Sequence, residues 1–80
     1  MTEYQVYYFG MIAERTTCDK EVFSIEKRLT VNQLDEMLQQ KYPMLKKLSY
    51  KIAVDKNFVP PETIVSNNQE IALLPPFAGG

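Results

Sequence analysis

Thr30-Val-Asn-Gln-Leu-Asp-Glu-Met-Leu-Gln-Gln-Lys-Tyr-Pro43 is the segment whose reading decides the fold. Thr30 followed by Gln33 fits a capping box, in which the threonine hydroxyl accepts from an early backbone N–H and the glutamine side chain reaches back to the cap's own N–H. A helix therefore starts here. Val31, Leu34, Met37, Leu38 and Tyr42 then recur at three- and four-residue spacings on one face, and Pro43 prevents the helix from propagating. A chain of 80 residues buries only about 60 to 65% of the surface its unfolded form exposes, so it needs this apolar stripe for its own core.

On both sides the pattern changes to strands. Tyr4–Phe9 is an aromatic and β-branched run closed by Gly10, and Glu21–Glu26 alternates around Val22, Phe23 and Ile25; together they predict an N-terminal β-hairpin. The intervening Met11–Lys20 is too long for a tight turn, and an irregular connection is expected. After the helix, Tyr50, Ile52 and Val54 alternate with Lys51, Ala53 and Asp55. Lys56-Asn57 reads as a turn, Phe58-Val59 as a short strand cut by Pro60-Pro61, and Asn67-Asn68-Gln69 as a second turn. Glu70–Leu74 is a last strand, ended by Pro75-Pro76. The order is ββαβ(β)β, an α+β chain whose natural packing is a mixed sheet over one helix with the first and last strands side by side. That arrangement is the β-grasp, here assigned to residues 1–76 with an extended tail at 77–80.

Composition excludes several classes of function. With 45% apolar and 24% charged residues the chain is an ordinary globular domain, and a net charge of −1 offers no broad basic face to nucleic acid. No apolar run approaches the length of a membrane span, and Met1–Gly10 lacks the basic start of a secretory signal, so a cytoplasmic location without membrane partners is expected. There is no histidine, which removes the commonest general base and zinc ligand, and no metal site is expected. Cys18, the single cysteine, has no imidazole to activate it and reads as a bystander thiol. Asp35 and Glu36 are adjacent, so on a helix they point in different directions and do not form a catalytic pair.

The chemistry is therefore sought in the last residues, Leu73-Leu-Pro-Pro-Phe-Ala-Gly-Gly80. At an average glycine usage of about 7%, a closing Gly-Gly arises by chance in roughly 0.5% of chains. Here it takes two of only three glycines. Frayed tails are usually polar, whereas this one carries no charged side chain after Glu70 and places Phe77 beyond the last strand, where a partner groove would explain it. Pro75 and Pro76 keep the exit extended and stiff, and Phe77–Gly80 can then reach about 13 to 14 Å. Gly79 and Gly80 lack Cβ atoms, so a narrow channel can close around them. The functional group at the tip is a carboxylate, ionised at neutral pH and a poor acyl donor until activated. Joined to AMP it becomes a mixed anhydride that a sulfur nucleophile would turn into a thiocarboxylate and an amine into an amide.

The Leu73-Leu74-Pro75-Pro76-Phe77-Ala78-Gly79-Gly80 ending resembles that of molybdopterin synthase small subunits, the ubiquitin-like sulfur carriers also called molybdopterin-converting factor subunit 1. The resemblance extends to the Val6–Phe9 strand, the Thr30-Val31 helix entry and the Ala53-Val54 strand. It implies adenylation of Gly80 by a ubiquitin-activating-type enzyme using ATP, then sulfur loading from a sulfur-donating protein. The resulting thiocarboxylate would deliver sulfur to a pterin precursor in a large catalytic subunit, within a complex of two copies of each subunit. By the same resemblance the chain is no enzyme by itself and holds no permanent cofactor. Phe9, Phe58 and Leu74 correspond to partner-binding positions, and Phe77, Ala78 and Gly79 to the part of the tail inside the partner's channel. A sulfur carrier of thiamine or amino-acid synthesis, and a ubiquitin-like modifier or binding module, share the fold and the Gly-Gly end; the double proline favours the pterin pathway.

Overall fold

A computed structural model describes residues 1–76; Phe77, Ala78, Gly79 and Gly80, to which the sequence assigns the tail and its reactive end, lie outside the described residues. The elements are β1 (Thr2–Tyr8), α1 (Met11–Thr16), β2 (Lys20–Ile25), α2 (Val31–Lys41), a 3-10 turn (Pro43–Lys47), β3 (Lys51–Val54), β4 (Asn57–Phe58) and β5 (Glu70–Leu74). They form one five-stranded sheet in the order β2-β1-β5-β3-β4. β1 and β5 run parallel at its centre, with Val6 opposite Ile71 and Tyr8 opposite Leu73, and the remaining pairs are antiparallel. This is the β-grasp expected from the sequence.

Strand alternation divides the sheet into two faces. Tyr4, Val6 and Tyr8 of β1, Ile71 and Leu73 of β5, and Val54 of β3 are buried together with Val31, Leu34 and Leu38 of α2. Each fully buried Leu contributes roughly 1.5 to 3 kcal/mol relative to exposure, so the α2 stripe is a main source of cohesion. Met37 and Tyr42 lie at its margin, half-buried.

The start of α2 has no orphan donors. Gln33 N–H donates to Thr30 Oγ1 (3.1 Å) and Thr30 N–H to Gln33 Oε1 (3.0 Å), which is the capping box read from the sequence. The two N–H groups a cap side chain cannot serve donate to the following loop: Val31 to Thr63 O and Asn32 to Pro61 O, each at 2.9 Å. The Pro60-Pro61 segment that interrupts the strands thus acts as the seat of the helix.

Two local expectations are corrected. Met11–Lys20 is not irregular, because α1 occupies its first half. Ile12 and Thr16, one helical turn apart, are both buried, and the Thr16 hydroxyl donates back to Ile12 O at 3.1 Å. The helix ends at Thr17 in a left-handed conformation (φ 63°) without the glycine that usually signals such an end. The first turn after β3 is Asp55-Lys56 rather than Lys56-Asn57, so β4 begins at Asn57 and ends at Phe58. Both turn residues have positive φ (48° and 69°), as a two-residue hairpin loop of this hand requires. The conformation is held by Asp55, whose Oδ1 accepts from Glu70 N–H (2.9 Å) and whose Oδ2 accepts from Gln69 Nε2 (3.0 Å). The backbone bond first and the Gln69 bond second hold the Asp55 carboxyl below its ordinary range. Finally, Pro43 ends α2 as expected but also opens the 3-10 turn, which sets Leu45 into the core.

One charged group faces inward at the sheet edge. Glu21 of β2 lies opposite Val6, and its Oε1 accepts from the hydroxyls of Tyr8 (2.9 Å) and Tyr42 (2.8 Å), while Lys41 pairs with Oε2. The carboxylate ties both strands of the hairpin to the end of α2. Burial pushes the Glu21 carboxyl up, but the bonds from Lys41, Tyr42 and Tyr8 outweigh it and leave it below the usual range. Burial, and then the bond to Glu21, push Tyr8 and Tyr42 upward. Because Glu21 is depressed in the folded chain, its contribution is complete above the unfolded value of roughly 4.3 and is lost as pH falls through the folded one. The tyrosines, raised in the folded chain, contribute below roughly pH 10 and lose that contribution as pH rises further. Glu21→Gln should lower unfolding stability at pH 7 by about 1.5 to 3 kcal/mol, the range for hydrogen bonds to a charged group. In urea titrations the gap between variant and parent should narrow as the pH falls below the unfolded value, because protonation removes the charge; a gap that stays the same size from neutral to acidic pH would show that the carboxylate's charge is immaterial.

Candidate functional site

The outer face of the sheet carries the remaining apolar residues. By register, Tyr7, Ala72, Ala53 and Phe58 form one row across β1, β5, β3 and β4, and Leu74 stands opposite Lys51 one pleat nearer the tail. Ala53 and Ala72 are small, so the row is low in the middle and high at its ends. Phe58 is 62% exposed and Phe9, just past the end of β1, is 46% exposed, while Leu74 is half-buried. Exposed aromatic rings of this size on a domain so small mark a contact surface.

Two of the three interface positions named from the sequence share one depression. Tyr50, Lys51, Phe58, Leu74, Pro75 and Pro76 line a groove of about 350 Å³, with the double proline at its mouth. Phe9 lies outside it. It follows Tyr8, whose partner is Leu73, and the next residue, Gly10, sits against Pro75. The outer surface next to the tail's root therefore has Phe9 on one side of β5 and Phe58 on the other.

Sequence reasoning missed Tyr50, Lys51 and Gly10 as parts of this site. Tyr50 reads as an inward residue by alternation with Ile52, yet it forms a groove wall. Its hydroxyl donates to Asp35 Oδ1 (2.5 Å) and accepts from Gln39 Nε2 (3.0 Å), and burial, then the Asp35 bond, push it up to about 12. The wall is thus bolted to α2. Lys51 Nζ stands 5.5 Å from the centroid of the Phe58 ring, within cation–π range, and among the described residues it is the one charged group lining the groove. The outward position of Lys51 beside outward Ala53 was legible; its pairing with Phe58 depends on the Asp55-Lys56 turn.

Among the described residues no group of three or more His, Cys, Asp or Glu side chains could hold a metal ion, and no helix is long and apolar enough to cross a membrane. Cys18 is half-buried beside the Thr16 hydroxyl, far in sequence from the groove residues.

Gly10 governs how the tail's root sits. Its backbone (φ 57°, ψ −134°) is a conformation that L side chains rarely adopt, and an added Cβ would lie 3.1 Å from Pro75 Cγ. Gly10→Ala should destabilise the fold by about 1 to 3 kcal/mol, with a Tm drop of several degrees for a domain of this length. Thermal unfolding followed by circular dichroism tests this; an unchanged Tm would mean that β1 and β5 separate at this end without loss.

A model of the ThiS family matches residues 6–80 of the chain. Over 85 aligned positions the chain is 33% identical to the molybdopterin synthase sulfur carrier subunit of Mycobacterium tuberculosis, and the match spans the full length of both. Among solved structures it is similar to a complex of subunits 1 and 2 of molybdopterin-converting factor from Helicobacter pylori (25% identity, TM-score 0.72, 99% of this chain and 100% of that one). It is similar also to small archaeal modifier protein 1 of Methanosarcina acetivorans (26% identity, TM-score 0.79, 100% of this chain and 98% of that one).

Proposed function

The chain belongs to the ThiS family, and on that premise we propose that it is the sulfur carrier subunit of a molybdopterin synthase, acting through Gly80. Full-length identity of 33% to a carrier of that description is the observation that carries the reading. The geometry supports it: the last strand runs up the centre of the sheet and leaves through Pro75-Pro76 between exposed aromatic residues. A domain built this way docks by its outer face and extends its end into whatever it has docked against.

In this reading the Gly80 carboxylate attacks the α-phosphorus of ATP on a ubiquitin-activating-type enzyme, and pyrophosphate leaves. A sulfide equivalent, released from a donor protein's persulfide when a thiol reductant cleaves the S–S bond, then displaces AMP and gives the thiocarboxylate. Inside the large synthase subunit that sulfur passes to a pterin precursor, and the end returns to a carboxylate. The chain supplies reach and placement, with Phe77, Ala78 and Gly79 in the partner's channel, while the residues that do chemistry on the pterin belong to the large subunit. Two copies of each subunit form the complex, in the cytoplasm, with no cofactor or metal held by this chain. The similarity to an archaeal modifier protein favours a second use of the same activated end, amide linkage to an amine.

Deleting Gly80 keeps a carboxyl group but retracts it by roughly 3.3 to 3.6 Å, more than a near-attack geometry tolerates. After incubation with ATP, the activating enzyme and a sulfur donor, intact-mass analysis should show one oxygen replaced by sulfur in the full chain and no change in the shortened one. Sulfur on Cys18, or equal loading of the shortened chain, would overturn the carrier reading. An amide-linked conjugate in place of a thiocarboxylate would establish the modifier use instead.

Docking is tested separately. Leu74→Asp places a charge in a contact that should exclude water, and Phe58→Asp does so at a more exposed position. Each should weaken association with the large subunit by at least about 30-fold, the equivalent of roughly 2 kcal/mol. Calorimetric titration of variants with the parent's circular dichroism spectrum reads this. Undiminished binding by both would remove the groove from the interface.

A further inference from the structure

The outward residues of the sheet are sorted by charge along the strands. Lys51 lies in the row of Leu74, beside the exit at Pro75-Pro76, and Lys20 in the next row with Tyr7 and Phe58. Glu70 is one row farther from that exit and Glu3 two rows farther. Among the strand residues, both outward cations are therefore at the exit end and both outward carboxylates at the other, about 13 Å from Leu74 to Glu70 at the rise of a strand. Asp19, next to Lys20, hydrogen-bonds through its carbonyl to the N–H of inward Tyr8, and by the same alternation belongs to the opposite side.

Each ammonium is held against a ring. Lys20 Nζ is 5.3 Å from the centroid of Tyr7 and Lys51 Nζ 5.5 Å from that of Phe58, so both charges stand on the contact surface itself and lose less freedom on pairing than free side chains do. Their strands, β2 and β3, are three strand spacings apart, roughly 14 Å, with β1 and β5 between them. The two cations thus bracket the part of the face that leads to the exit. No acidic residue lines the groove beside Lys51 among the described residues. A partner that buries Phe58 and Leu74 has to cover the ground between both ammoniums, and an apolar or basic surface there would take water from them and give nothing back.

We propose, resting on the carrier reading, that the large synthase subunit meets this face with two carboxylates roughly 14 Å apart, one for Lys20 and one for Lys51, on either side of its apolar contact. The polarity of the face then sets the direction of docking. Turned end for end, Glu70 and Glu3 would meet those carboxylates and repel them. Charge acts across a Debye length of about 8 Å at physiological salt, whereas apolar contacts act only on touching, so the exit at Pro75-Pro76 is turned the right way before Phe58 and Leu74 close.

Calorimetric titration of the large subunit with full-length chains, at low and at high salt, tests the proposal. Lys20→Glu and Lys51→Glu should each weaken binding by about 10-fold or more at low salt, and the double variant by about 100-fold, because each sets like charges face to face. High salt should narrow these gaps. Lys51→Arg should bind as the parent does. So should Lys27→Glu, which makes the same change in net charge at an exposed position between β2 and α2. If Lys20→Glu and Lys51→Glu bind as tightly as the parent while Leu74→Asp does not, the proposal is overturned and the carrier reading stands; a parent chain that the large subunit does not bind overturns both. Equal weakening by Lys27→Glu would reduce the effect to net charge and overturn the paired carboxylates. Loss of adenylation with unchanged affinity for the large subunit would overturn them too, by giving the two lysines to the activating enzyme.

Discussion

The parallel pairing of β1 with β5 is the constraint from which the rest follows. Parallel neighbours cannot be joined by a tight turn, so after β2 the chain has to leave the sheet, cross its inner face and return on the far side of β5. The return path supplies α2, which covers the inner face, and β3, which closes the other flank of β5. Because the last strand lies in the middle of the sheet and not at its edge, it is held on both sides, by Tyr7 and Tyr8 and by Ile52 and Ala53. A firm anchor at Leu73 is what allows the next residues to be aimed. Leu73 is completely buried and the double proline follows two positions later.

Polar groups that the core has to accommodate are used as fasteners between elements. Tyr4, fully buried, accepts from Leu29 N–H (2.6 Å) and donates to Lys27 O (3.2 Å), fixing the approach to α2. Tyr50 fastens the start of β3 to the middle of α2 through Asp35, and Glu21 fastens β2 to its end. None of these tyrosines is free to act as an acid or base, since each hydroxyl is committed to a structural partner. The tyrosine-rich composition belongs to the architecture.

What the sequence made legible was whatever is decided locally. Thr30 and Gln33 lie three residues apart and satisfy each other, so the helix start could be read without knowing the fold. The strand runs ending at Phe9 and at Leu74 could be read from their aromatic and branched residues, and the proline pairs marked chain exits. The misreadings share one cause: a conformation imposed from far away. Asp55 and Lys56 adopt positive φ without glycine because Gln69 and Glu70, at the entry to β5, hold the Asp55 carboxylate. Helix α1 has only six residues and no capping side chain, and it persists because Ile12 is buried against the core. The groove was half legible for the same reason: Phe58 and Leu74 announce themselves, whereas Tyr50 and Lys51 join them only through the β3–β5 pairing.

The inward carboxylate of Glu21 has a consequence for how the chain behaves when crowded. β2 is an edge strand, with a row of unpaired backbone groups that another sheet could extend, and Val22 beside it is 53% exposed. A foreign strand added to this edge would have to close over Glu21 and the Lys41 ammonium, stripping water from an ion pair whose Lys41 side chain is still 48% exposed. Desolvating such a pair costs several kcal/mol per ion, and inward-pointing charge on an edge is a recognised deterrent to strand addition. The bond that holds the hairpin to the helix thus also works against strand addition along the open edge of β2.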